Sequence, residues 1–280
     1  MIIFKTVSQL GFFIDKMKAS EKKIGFVPTM GALHLGHISL INNSKQQNDI
    51  TVCSIFVNPT QFNNATDFEK YPVTIETDLD KLEAAGCDAV FLPNAEEVYP
   101  KRNATPVYTL GYLETLMEGK FRPGHYQGVC QVVDRLLALV KPANLYLGQK
   151  DYQQCMVIKK LIEHKNIDTV IHIEKTVREH DGLAMSSRNA RLNDFERKQA
   201  VKIFETLSFI KNNLKPGRLE SIKGQATAFL SANGFKVDYV EIADAASLEI
   251  LQQWNGTTSI VALVAAYLNE VRLIDNFVLD

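Results

Sequence analysis

Net charge is nearly absent from this chain: 31 lysines and arginines stand against 32 aspartates and glutamates, a formal −1 at pH 7. Nothing marks the whole surface for nucleic acid or an anionic membrane. Cysteine is scarce as well. Cys53, Cys87, Cys130 and Cys155 lie far apart and form no C-x-x-C pair, which removes the usual zinc-ribbon and redox motifs. Each sits in apolar context, as in "TVCSIFV" and "GVCQVV", and reads as a buried, reduced thiol in a cytosolic setting. Long apolar runs are missing. The most apolar window, "SIVALVAAYL", stops at Asn269–Glu270, short of the roughly 18 residues a membrane span requires. The opening "MIIFKTVSQLGFFIDKMK" is interrupted by Lys5, Ser8, Gln9 and Asp15 and lacks a small-residue cleavage site, so it does not read as a signal peptide. The expectation is a cytoplasmic, enzyme-like chain with neither nucleic acid nor membrane as partner.

What is present is patterned. With 280 residues, 46 % of them apolar and 22 % charged, the chain suits one large domain or, better, two. Its first two-thirds alternate short β-rich runs with amphipathic stretches. Strands are expected at "KIGFVP" (23–28), "ITVCSIFV" (50–57), "DAVFLP" (88–93), "NLYLG" (144–148) and "DTVIHI" (168–173). Helices are expected at 37–47, 75–86, 128–142 and 151–166. That order predicts a Rossmann-like, doubly wound parallel α/β sheet over residues 1–175. Beyond it, a long helix at 193–214, a second at 219–234, and the runs "KVDYVEIA", "SIVALVAAYL" and "VRLIDNFVL" predict a smaller α+β domain over 176–280.

Ligands of a parallel sheet bind beyond the carboxyl ends of its strands, so the segment after each strand carries the information. The first expected strand runs into "TMGALHLGH", the second into "NPTQF", the fourth into "GQKDYQQ" and the fifth into "REHDGLAMSSRN". If His34 and His37 straddle a helix start, their rings lie beside its free N–H groups, where an anion is favoured. Gly31 and Gly36 permit close approach. A phosphate cradle, capping histidines and a metal pair all fit these residues; the metal lacks a third ligand. Ser186, Ser187 and Arg188 can donate to phosphate oxygens, although any surface turn can read "SSRN". Lys150 beside Asp151 fits a phosphate contact or a solvated ion pair. Gln61 and Gln154 offer donor and acceptor together, as a substrate with hydroxyl and carboxylate requires.

An H-x-G-H after the first strand with a later M-S-S-R resembles the HIGH and KMSKS pair of the nucleotidyltransferase superfamily. More narrowly, "PTMGALHLGH", "FVNPTQF", "RPGHYQGV", "GQKDYQQ" and "AMSSRN", in this order and over nearly the whole chain, resemble the pantoate–β-alanine ligase family. The resemblance implies activation of D-pantoate by ATP and Mg²⁺ to a pantoyl-adenylate, with release of pyrophosphate. Attack by β-alanine then yields pantothenate and AMP. It implies a homodimer formed through the first domain. Carried over by position, Met30, Gly31, Ala32, Leu33, His34, Leu35, Gly36 and His37 line the ATP site, with His37 catalytic and His34, Lys150 and Arg188 beside it on the phosphates. Gly148, Gln149, Lys150 and Asp151 bind the nucleotide, Asp151 on ribose, and Val177 lies against adenine. Met185, Ser186, Ser187 and Arg188 form a phosphate loop from a lid-like second domain. Asn58, Gln61 and Gln154 hold pantoate, and Gln61 also borders β-alanine. The Mg²⁺ ligands are not specified.

The chemistry suits these residues. A carboxylate attacking the α-phosphorus of ATP brings anion to anion, so positive charge must spread over the triphosphate. Four departures from the family pattern bear on substrate contacts: Gln149 for glutamate, Gln127 for arginine, Thr60 for leucine, and the stretch "NNATDFEKYP". Gln149 is expected to face away from the phosphates. The rival readings are another adenylyltransferase acting on a phosphate acceptor, a non-catalytic RNA-binding synthetase relative, and a zinc hydrolase built on His34 and His37.

Overall fold

A computed structural model describes residues 1–100 and 106–279. The chain divides into two compact units. The first comprises Met1–Gly148 and Val157–Lys175, the second Gln149–Met156 and the chain from Thr176 onward.

In the first unit, six strands form one sheet: β1 (Ile2–Phe4), β2 (Ile24–Thr29), β3 (Ile50–Ile55), β4 (Ala89–Phe91), β5 (Asn144–Gly148) and β6 (Val170–Glu174). They lie in the order β1-β4-β3-β2-β5-β6, and every pairing is parallel. The chain steps outward from β2 through β3 to β4, then returns to lay β5 on the other flank of β2. The switch point is therefore between β2 and β5, where a crevice opens at the strands' carboxyl ends. The continuous apolar runs of β2, β3 and β5 are buried, as strands covered on both faces must be. The longer helices serving this sheet are α1 (Val7–Ala19), α2 (Leu35–Gln47), α3 (Ile75–Ala84), α4 (His125–Val140) and α5 (Tyr152–Lys165).

The sequence pattern leaves β1 unassigned. It has only three residues, with Ile2 and Ile3 about half exposed, too short to show a period. Pro28 is unexpected inside a central strand, because it lacks a ladder donor. The pairing explains it: β2 meets β5 only at Gly25–Asn144 and Phe26–Leu145. Pro28 stands where that ladder has already ended.

In the second unit, β8 (Phe235–Asp244), β10 (Ile260–Leu268) and β11 (Val271–Leu279) form an antiparallel sheet in the order β11-β10-β8, and the two-residue strands β7 (Gly217–Arg218) and β9 (Gln253–Trp254) pair separately. Helices α6 (Lys202–Asn213) and α7 (Glu220–Ala232) supply Ile203, Leu207, Ile210, Ala226 and Leu230 to one core with Ile260, Ala262 and Val264. The long helix expected over 193–214 is instead two, Asp194–Ala200 and α6, broken at Val201, which keeps helical angles of φ −59° and ψ −23°. The first is held by a capping box between Asn193 and Glu196 and by Asn269 Nδ2 donating to Glu196 Oε1 at 2.5 Å; the second packs on the sheet. No helix among the described residues is long and apolar enough to cross a membrane.

Asn269, then the Asn193 N–H, hold the Glu196 carboxyl below its ordinary value of 4.5. A depressed folded-state pKa stabilises the fold above 4.5, and that contribution disappears as pH falls through the folded-state value. The urea-unfolding midpoint of Glu196→Gln should lie below the wild type at pH 7 and converge with it below pH 4.5. A gap independent of pH would mean that the carboxylate charge contributes nothing.

Candidate active site

Beyond β2 the chain reverses through two left-handed residues, Gly31 (φ +80°) and Ala32 (φ +49°). A glycine takes that conformation freely and an alanine does not, so Ala32 must be held. Asp78, fully buried on α3, holds it: its carboxylate accepts the N–H of Ala32 at 2.8 Å and of Leu33 at 2.7 Å, with the Thr74 hydroxyl at 3.1 Å. Lys81, one turn along α3, donates to Leu33 O at 2.6 Å. A Cβ at Gly31 would stand 3.0 Å from Asp78 Oδ2, which leaves little room for any other residue. Leu33, expected on the nucleotide site, is 2 % exposed and packs in the core. Both its backbone polar atoms are used within the protein, so its part is to seat the loop.

The histidines stand at the helix start. His34 is the N-cap of α2 and His37 its third residue. Gly36 N–H donates to His34 Nδ1 at 3.1 Å, and His34 N–H donates to His37 Nδ1 at 3.3 Å. This is a capping box built from two imidazoles, with ring centroids 4.1 Å apart. An Nδ1 that accepts a hydrogen bond places the proton of a neutral ring on Nε2. Each ring therefore carries its own donor next to the positive end of the helix. The first turn of α2 holds no acidic residue, so nothing on the helix cancels that field. Leu35 is 64 % exposed on the same turn.

A second constellation lies after β3. Asn58 caps the short turn Pro59–Gln61. Its amide donates to Gly128 O at 3.0 Å and Gln61 Oε1 at 3.2 Å, and its oxygen accepts from the Tyr99 hydroxyl at 2.9 Å. Burial raises the Tyr99 phenol above its ordinary value of 10, so it remains a donor. Asn58 is fully buried and acts on its neighbour: Gln61 Nε2 is directed to Met30 Sδ, 3.1 Å away. His125 Nδ1 lies 2.7 Å from Gln61 O, and His125 Nε2 lies 3.0 Å from Arg122. Thus Asn58, Gln61 and Met30 are brought together, while Asp78, Tyr99 and His125 join them without having been expected. A cavity of about 290 Å³ backs this loop, with Met30, Gly31 and Ala32 on one wall and Ile55, Phe56 and Phe68 among the others. His34, His37 and Gln61 do not line it.

In the second unit, Gln149–Asp151 form one 3₁₀ turn immediately after Gly148. Lys150 Nζ lies 3.8 Å from Asp151 Oδ2, with its side chain 18 % exposed. Val177 and Met185 face each other: Met185 N–H donates to Val177 O at 3.0 Å, and Arg178 bridges Ala184. The hairpin leads into Ser186, whose hydroxyl accepts the Arg188 N–H at 3.3 Å and caps the turn Ser187–Arg191. Val177 and Met185–Arg188, 8 residues apart at their nearest, are thereby made neighbours. The buried Thr176 Oγ1 and Asn189 Oδ1 in this segment have no hydrogen-bond partner among the described residues. Gln154 lies half-buried on α5.

The described residues contain no group of three or more His, Cys, Asp or Glu side chains placed to hold a metal, and both histidine Nδ1 atoms are committed to backbone. That donor set does not suit resident zinc.

A Cβ on Gly128 would stand 2.2 Å from Thr60 O, so α4 approaches the Pro59–Gln61 turn only through this glycine. Gly128→Ala should destabilise the protein by about 1–3 kcal/mol in urea unfolding. An unchanged midpoint would show that helix and turn can part without cost.

Comparison with known proteins follows the same lines. A family model described as pantoate-beta-alanine ligase matches residues 2–278. The pantothenate synthetase of Porphyromonas gingivalis is 46 % identical over 278 residues, covering 99 % of this chain and 98 % of its own; that of Bacteroides fragilis is 43 % identical over 277 residues, covering 99 % and 98 %. The crystal structure of the Thermus thermophilus pantothenate synthetase superposes with a TM-score of 0.90 at 37 % identity, covering 99 % of both chains. The Francisella tularensis pantoate-beta-alanine ligase, solved with β,γ-ATP and β-alanine, gives 0.84 at 38 %, covering 99 % of this chain and 97 % of its own. Likeness of this degree across the whole length makes this chain an enzyme of the pantoate–β-alanine ligase family.

Proposed function

We propose that this enzyme joins D-pantoate to β-alanine in two steps at the loops described above. In the first, a pantoate carboxylate oxygen forms a bond to the α-phosphorus of ATP while the bond to pyrophosphate breaks. In the second, the amine of β-alanine attacks the acyl carbon, the bond to AMP breaks, and a proton leaves the nitrogen. No covalent enzyme nucleophile is required, because the substrate carboxylate serves. The observation that carries this reading is the imidazole capping box, which sets two Nε2–H donors at a helix N-terminus on the carboxyl side of β2.

His34 and His37 stabilise phosphate charge by donated hydrogen bonds, His37 being the catalytic donor. Met30–His37 shape the nucleotide site, Leu33 by packing. Gln61 takes the pantoate hydroxyl or carboxylate and borders β-alanine, Asn58 acts by fixing Gln61, and Gln154 takes the other polar end of pantoate. Gly148, last residue of β5, and Gln149–Asp151 of the second unit bind the nucleotide, with Lys150 on phosphate and Asp151 on ribose. Val177 lies against adenine, and Met185, Ser186, Ser187 and Arg188 grip phosphate. Mg²⁺ arrives with ATP and adds charge neutralisation to these groups. A homodimer formed through the first unit and a cytoplasmic location complete the reading, the latter supported by four buried free cysteines.

Pyrophosphate release from Mg²⁺–ATP, with D-pantoate alone and then with β-alanine, tests the reaction. One stoichiometric burst converted by β-alanine into steady AMP production is expected; ATP left intact with pantoate would refute the proposal. His37→Ala should slow the burst about 10²–10³-fold without changing the circular dichroism spectrum, and a loss of only a few-fold removes His37 from the chemistry. Lys150→Met should cost about 2–4 kcal/mol of transition-state stabilisation, read from kcat/KM for ATP.

A further inference from the structure

Asn276 lies in β11, 127 residues from the turn after β5, and is 2 % exposed. Its side-chain amide is spent entirely on that turn. Nδ2 donates to Gln149 O and to Lys150 O, both at 2.9 Å, and Oδ1 accepts Gln149 Nε2 at 3.1 Å. The carbonyls of two consecutive residues are thus gripped by one NH₂ group, and the Gln149 side chain is folded back onto the same amide. The backbone on which Lys150 stands is fixed from β11.

The residue before it serves the other loop. Asp275, 3 % exposed, accepts from the two terminal Arg178 guanidinium nitrogens at 2.6 and 2.9 Å, together with Asn276 N–H at 2.8 Å. Arg178 is stacked against Phe204 and Phe277, 5.2 and 4.8 Å from their ring centres, and donates to Gly182 O at 2.9 Å. Its own backbone is half of the bridge to Ala184 that closes the hairpin leading to Met185–Arg188. Neighbouring side chains on a strand leave on opposite faces. One dipeptide of β11 is therefore able to hold the turn carrying Lys150 with one residue and the hairpin carrying the serines and Arg188 with the other.

Packing alone does not account for this. A buried ion pair gains little stability over apolar residues of the same shape. A buried amide whose three bonds all go to one turn fixes that turn's conformation. We propose that Asn276 is a positioning residue for Lys150: it touches no substrate, and sets the ammonium where the transferring phosphate is met. The inference rests on the phosphate role of Lys150 given above. It also assigns a task to Gln149, which stands where the family usually has glutamate: its Nε2 supplies the third bond to Asn276.

The test is a double-mutant cycle on the full-length enzyme, with Asn276→Asp, Asn276→Leu, Lys150→Met and each combination. Asn276→Asp keeps the shape and turns two donors into acceptors facing carbonyls, so it covers the case in which Asn276→Leu does not fold. Each Asn276 variant alone should lower kcat/KM for ATP about 10–100-fold and leave the KM for β-alanine within about twofold. In the Lys150→Met background the same substitution should cost less than about twofold, since the group it positions is gone. Amide exchange of a peptide covering 149–151 should quicken while β8 and β10 stay protected, which separates local release from global unfolding. Additive losses, or quicker exchange throughout β8 and β10, would overturn the proposal. If Lys150→Met alone leaves ATP use intact, the phosphate role itself is wrong, and the positioning role falls with it.

Discussion

The hydrogen-bond ladder between β2 and β5 ends at Phe26–Leu145, and the chemistry of the first unit follows from that ending. Past it, β2 is bonded only to β3, and the backbone from Thr29 onward needs other partners, because a buried N–H left unpaired costs about 1–3 kcal/mol. The partners are local and few. Gly31 N–H turns to the Thr29 hydroxyl at 3.2 Å. Ala32 and Leu33 turn to Asp78. His34 and Gly36 turn to the imidazoles. Each of these amides is satisfied by a side chain, so the loop's backbone is tied at every step. Preorganisation of this kind is what lets donors act without reorganising during reaction.

Charge is distributed with the same economy. Acidic residues fill the first turns of α3 and of the helix Asp194–Ala200, where they complement the helix dipole. The first turn of α2 has none. Its cap is made from neutral rings that accept through Nδ1, which satisfies the backbone while adding no negative charge. A serine cap would satisfy the same N–H groups, but its one donor sits on the accepting oxygen itself and does not project beyond it. The imidazole projects one, since each neutral ring carries donor and acceptor on separate nitrogens. The capping and phosphate readings of "TMGALHLGH", alternatives when the residues are taken alone, do not compete for the same ring atom: capping uses Nδ1 of each imidazole.

What was legible in the sequence was local. His34 and His37 are three residues apart, so a helix start places both, and the strand-then-loop order located "NPTQF", "GQKD" and "AMSSRN" at strand ends. The sheet was legible because parallel strands buried on both faces must be continuously apolar. β1 escaped because three half-exposed residues carry no period. The break at Val201 escaped because that residue keeps helical angles and Ala200 and Ile203 on either side share one core. Asp78 escaped for a different reason. It sits in "IETDLDKLE", whose charges read as a solvated helix face, and its partners are 45 and 46 residues away. Tyr99, His125 and Asn276 share that property. Asn58 and His125 do lie in quoted stretches, "FVNPTQF" and "RPGHYQGV", yet the contacts they make there, to Gly128 and to Gln61, are set by topology and leave no spacing to find.

The loops of the two units differ in kind as well as in place. The first unit offers dipoles: a helix end, two neutral imidazoles, and the amide of Gln61. The second offers formal charge in Lys150 and Arg188. Gln149–Met156 follows β5 directly in sequence, yet is fastened to the second unit by Asn276 and by the Tyr152 hydroxyl donating to Ala245 O at 2.7 Å. The lysine thus belongs with the arginine and not with the histidines. For attack of a carboxylate on a triphosphate, the two kinds of group have different uses. Fixed dipoles orient the reacting phosphate with little attraction to bulk anions, while full charges neutralise the pyrophosphate that must leave. Full cations on the histidine loop would also attract the pantoate carboxylate ahead of ATP. On the proposed roles, the histidine loop supplies directed donors, and formal charge comes from residues anchored elsewhere in the fold.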